Sequence, residues 1–68
     1  MTEEQIKEMG LSDKRERALL AVKSHLFERK DFWALVSERR WGLAAQALET
    51  TWIRSNTTQF LADAIWEG

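Results

Sequence analysis

Cysteine, proline and tyrosine are absent from this chain, histidine occurs once, and glycine only three times. Without cysteine there are no disulfides, no thiolate metal sites and no thiol nucleophile, and nothing points to an oxidising compartment. A structural zinc site needs about four nitrogen, sulfur or carboxylate ligands, which His25 alone cannot anchor. The glycines at 10, 42 and 68 are too far apart to form a phosphate-cradling loop. No apolar run approaches the ~18 residues of a membrane span, and Met1-Thr2-Glu3-Glu4 lacks the basic and apolar parts of a signal peptide. A cytoplasmic location is the expectation.

Nearly half of the 68 residues are hydrophobic, which sets the chain apart from compositions that remain disordered. One domain covering residues 1–68 is expected, and at this size folding buries only ~60% of the unfolded chain's surface. Small domains compensate with disulfides, metals, cyclisation or self-association. Only self-association is open here, so a homodimer is expected.

The formal charge of −1 hides a pattern. Residues 1–10 carry net −2, residues 11–40 net +3, and residues 41–68 net −2. A basic middle thus lies between acidic ends.

The spacing predicts helices throughout. Residues 2–9 suit a short, fraying helix stopped by Gly10, a segment expected to be mobile or docked only in a complex. Ser12 is a suitable N-cap with Asp13 in the first turn, opening a helix that runs through Lys30. Its stripe is Ala18, Leu19, Val22 and Leu26, widened by Leu20 and Phe27. Asp31 can cap a short apolar helix containing Phe32, Trp33, Leu35 and Val36, with Gly42 as the interruption after Arg40. Leu43, Ala44, Ala47, Leu48, Thr51 and Trp52 then repeat at three and four, with Ala45 and Ile53 beside them. The polar run Ser55–Thr58 precedes a last helix with Phe60, Leu61, Ala64 and Ile65 on one face, closed by Trp66. No strand alternation competes. The expected fold class is all-α: a small helical hairpin or bundle of three to four helices.

Ser24 beside His25 does not make a catalytic pair, because adjacent helix positions do not face each other; no nucleophile elbow is present. Glu3, Glu4 and Glu8 read as a solvating segment rather than a metal site. No cofactor is expected, and the chain is read as non-enzymatic.

Lys14, Arg15, Arg17, Lys23, Arg29, Lys30, Arg39 and Arg40, with Trp33 and Trp41 among the last four, have the flavour of a nucleic-acid surface. Asp13, Glu16, Glu28, Asp31 and Glu38 are interleaved with them at helical pairing distances, so a solvated, salt-laced face fits better. A helix-turn-helix over residues 31–54 would offer only Gln46 to read a base edge. A dimeric DNA-binding repressor using the basic middle is therefore the second reading, and a purely structural assembly subunit the third.

The four tryptophans, Trp33, Trp41, Trp52 and Trp66, with Phe27, Phe32 and Phe60, are more aromatic surface than so small a bundle readily hides. Trp and Arg are enriched at binding hot spots, and Arg39-Arg40-Trp41 sets both at one corner. Arg39, Arg40, Trp41, Trp33 and Trp66 are the candidate partner-binding residues. In size and Trp-rich helical composition the chain resembles the small accessory regulators with which phages and mobile elements inhibit host proteins by stoichiometric binding. That resemblance implies a protein target, a transcription factor or another nucleic-acid-handling protein, against whose basic surface the acidic ends could lie.

Overall fold

The computed structural model describes residues 2–24, 29–51 and 56–68, and every regular element among them is an α-helix. The five helices are α1 (Glu3–Glu8), α2 (Asp13–Ser24), α3 (Lys30–Ser37), α4 (Trp41–Thr51) and α5 (Asn56–Glu67). The all-α expectation holds. The count exceeds the expected three to four by at least one, and α1 is the short helix expected over residues 2–9.

Six residues are too few to form a helix unaided, and two devices hold α1. Thr2 and Gln5 make a reciprocal capping box: the Gln5 amide donates to Thr2 Oγ1 at 3.2 Å and the Thr2 amide to Gln5 Oε1 at 2.8 Å. Ile6 is fully buried, where α1 packs on α2, a burial worth about 1.5–3 kcal/mol. The segment thus docks within the single chain rather than only in a complex. Gly10, at φ +68°, supplies the left-handed stop that glycine takes without Cβ penalty.

Ser12 caps α2 as expected, its Oγ accepting from the Arg15 amide at 3.3 Å. Ala18, Leu19 and Val22 are buried from this helix. Leu26, Phe27 and His25, like Trp52, Ile53 and Ser55 further on, lie outside the described residues. For α3 the capping position is Arg29, without a side-chain cap; Asp31 sits inside the first turn and pairs with the Arg29 guanidinium. The physical reason is that the Asp31 carboxylate engages that cation and, from inside the first turn, the amides of Phe32 and of Asp31 itself at the positive helix end.

The boundary between α3 and α4 also differs from expectation. Gly42 does not interrupt; it is the second residue of α4. The chain turns at Arg39, whose φ of +61° is the only left-handed non-glycine conformation among the described residues. Its amide donates to Val36 O at 3.0 Å and the Arg40 amide reaches back to Leu35 O at 2.9 Å. This is the double-bonded helix terminus that glycine most often supplies.

The core sits where α5 packs between α2 and α4, with α3 closing on α4. Phe32, Leu19, Leu48, Ile65, Val22 and Val36 have no exposed surface. In α5 the buried positions are Thr58, Leu61, Ala62, Ala64 and Ile65, so the buried arc centres on Ile65. Phe60, expected on the apolar face, lies off that arc and is 68% exposed; Leu43 of α4 is likewise exposed. No buried side-chain nitrogen or oxygen among the described residues lacks a partner.

Candidate functional site

Arg39 and Arg40 form an exposed corner at the α3–α4 turn. Arg39 Nη2 donates to the carbonyl of Met9 at 2.7 Å, tying the corner to the end of α1. Arg40 faces solvent and pairs with Glu38 at 3.1 Å.

Trp41, the first residue of α4, is half-buried and packs on the core. The Arg15 guanidinium of α2 lies over its ring, 4.3 Å from the centroid. The same group donates from Nε to Ile65 O at 2.8 Å and from Nη2 to Trp66 O at 3.3 Å. A cation therefore satisfies the carbonyls left over at the negative end of α5 while covering an aromatic face. Burial draws Arg15 below its ordinary pKa, but a guanidinium still stays charged at physiological pH.

Trp66 is 61% exposed. Its ring rests on Gly42, where a Cβ would run into Cζ3 and Cε3. The missing side chain of Gly42 is thus the seat of Trp66. Of the five candidate residues, Trp41 and Trp66 come together through Arg15 and Gly42, and Arg39 and Arg40 are the turn that leads into Trp41.

Trp33 does not join them. It is 8% exposed and packs edge-on against Phe32, with ring centroids 4.9 Å apart. In this chain Trp33 is core, because α3 turns positions 32, 33 and 36 inward together. Arg15 and Gly42 were not singled out for the site; only the surplus of tryptophan hinted that something must cradle an exposed ring.

A groove of about 210 Å³ runs beside Trp66, between α4 and α5, lined by Gly42, Ala45, Gln46, Glu49, Ala62 and Asp63. Gln59 Nε2 donates to Asp63 Oδ1 at 3.0 Å and to Glu49 Oε1 at 3.4 Å across the helices. The outer wall is acidic. The basic middle is locally neutralised in part: Arg29 pairs with Asp31, Arg40 with Glu38, and Lys14 with Glu67 at 3.7 Å.

Among the described residues no group of three His, Cys, Asp or Glu side chains could hold a metal. Among those residues, too, no helix is long and apolar enough to cross a membrane. No family model, curated protein or solved structure matches the chain.

Proposed function

We propose that this chain is a small non-enzymatic protein-binding regulator that inhibits a target protein by stoichiometric binding, the favoured targets being nucleic-acid-handling proteins. What carries the reading is Trp66, an indole 61% exposed on a glycine seat at the start of α4, just after the exposed Arg39–Arg40 turn. An exposed indole of this kind is an anchor whose truncation typically costs ~2 kcal/mol or more of binding. Trp66 is the anchor, Arg39 and Arg40 supply charge at its rim, and Trp41 serves the scaffold beneath. The working species is a homodimer, since the chain lacks the other devices that stabilise small domains.

The test is capture of interacting proteins from the native cell by tagged wild type, Trp66→Ala, and Arg39→Gly/Arg40→Ala. Glycine suits the left-handed backbone at 39, so that variant removes the guanidinium without disturbing the turn. A target retained by wild type, inhibited by it in a purified assay, and bound about 30-fold more weakly by Trp66→Ala at unchanged melting supports the reading. Retention of duplex DNA instead, with sub-micromolar affinity that falls steeply with salt, would move the chain to the DNA-binding class.

A further inference from the structure

A second apolar groove, of about 320 Å³, lies on the opposite edge of α5, between α5 and α2. We infer that a second copy of this chain occupies it, with Phe60 of each copy seated in the groove of the other. The inference deepens the homodimer reading above and rests on it.

The floor is made of small side chains, Ala18, Ala21 and Ala64, with Leu61; Phe60 forms one wall, and Lys14 and Arg17 stand at the rim. Phe60 is 68% exposed, an aromatic knob beside a hole of aromatic size that it cannot itself fill. A knob and a hole side by side are what a two-fold interface requires, since each copy offers both.

Charge fixes the orientation. Lys14 meets Glu67, and Arg15 meets the carbonyls of Ile65 and Trp66, so α2 and α5 run antiparallel. Arg17 therefore stands level with Asp63, and Ala21 with Phe60. The outer edge of α2 is basic at Lys14 and Arg17; the solvent side of α5 is acidic at Glu67 and at Asp63, which stands between the two grooves and accepts from Gln59. A two-fold axis running along the helices lays α2 of one copy on α5 of the other at the same level. Phe60 then covers Ala18 and Ala21 of its counterpart, and Arg17 faces Asp63. Arg17 makes no ion pair among the described residues of its own chain, and the second copy supplies one. A standard interface takes about 800 Å² from each partner, a large share of the 4569 Å² this chain exposes, so a two-helix face makes a small interface.

Sedimentation equilibrium of the full chain, from low micromolar to near-millimolar, tests this with Phe60→Ser, Arg17→Glu, Asp63→Arg and an equimolar mixture of the last two. All three positions are exposed, and circular dichroism verifies folding. The expected result is self-association weakened at least about tenfold by Phe60→Ser and weakened by each charge reversal alone. In the mixture, unlike copies should associate as well as wild type does. A wild-type dimer indifferent to Phe60→Ser, or a mixture that does not recover, overturns this face while leaving dimerisation intact. A wild type that stays monomeric overturns the dimer itself. Trp66→Ala should self-associate like wild type, so target binding is read separately.

Discussion

Replacing Arg15 by alanine removes three contacts made by one guanidinium. The 2.8 Å bond from Nε to Ile65 O is partly buried, and a bond from a charged donor contributes about 1.5–3 kcal/mol. The 3.3 Å bond to Trp66 O is exposed and adds little. Stacking over Trp41 contributes about 0.5–1 kcal/mol at an accessible site. The favourable charge at the end of α5 overlaps the first contribution and is not counted again. Water can reach the freed carbonyls, which places the total toward the lower end, about 2–3 kcal/mol. In a domain of this size that lowers Tm by on the order of 10–20 °C. Urea unfolding followed both by circular dichroism and by tryptophan fluorescence is the assay. Arg15→Lys keeps the charge but not the planar fork and should recover about half the loss. A double-mutant cycle with Trp41→Phe should show coupling of about 0.5–1 kcal/mol. Arg15→Ala unfolding within ~0.5 kcal/mol of wild type would refute the clasp.

Trp41→Ala, at a half-buried position packed on the core, should lower stability by about 2–4 kcal/mol; unchanged melting with lost target binding would instead make Trp41 the anchor. Gly42→Ala should gain up to about 1 kcal/mol of helix propensity yet evict the Trp66 ring, so stability moves little while near-ultraviolet circular dichroism changes and target binding falls; an unchanged spectrum counts against the seat. Arg29 holds the Asp31 carboxyl below its ordinary value chiefly by hydrogen bonding. A depressed carboxyl stabilises the fold above its unfolded pKa of about 3.9, and that contribution is lost as the pH falls through the folded value. Carboxyl titration by NMR should show the midpoint rise toward the ordinary value in Arg29→Met, and a midpoint equal to that of free aspartate in wild type would remove the ion pair.

Helical periodicity was readable because apolar spacing and caps act over a few neighbouring residues. Ser12 capped and Gly10 stopped their helices for reasons already present in the sequence. The Thr2–Gln5 box was equally present, yet composition alone made that segment look frayed; what holds it is Ile6, whose burial depends on α2. Two other features were set from a distance. Glycine at 42 has the chemistry of a helix breaker, and only the arrival of Trp66 from α5 shows that it marks close approach. Arg39 in a left-handed conformation leaves no mark in sequence, because tertiary contacts select it against its intrinsic preference.

The fate of the aromatics depended on helix phase, which composition does not contain. Trp33 and Phe32 lie with Val36 on the inward side of α3, whereas Trp66 follows the buried Ile65 by one position and is turned out by ~100°. Phe60 and Trp66 are six residues apart on α5, which separates them by about 120° around its axis. The polar positions Asn56, Gln59 and Asp63 lie between them on the exposed side. On α5 the exposed aromatic surface is therefore two separate patches, Phe60 on the side of α2 and Trp66 on the side of α4, and a single flat partner cannot bury both. That geometry is what divides the two proposals: self-association belongs to the Phe60 edge and target binding to the Trp66 edge. Substitutions on opposite edges of one helix, without shared partners, should add. A Phe60→Ser/Trp66→Ala double variant should then lose each activity by the factor its single variants show, whereas strong non-additivity would mean that target binding requires the dimer.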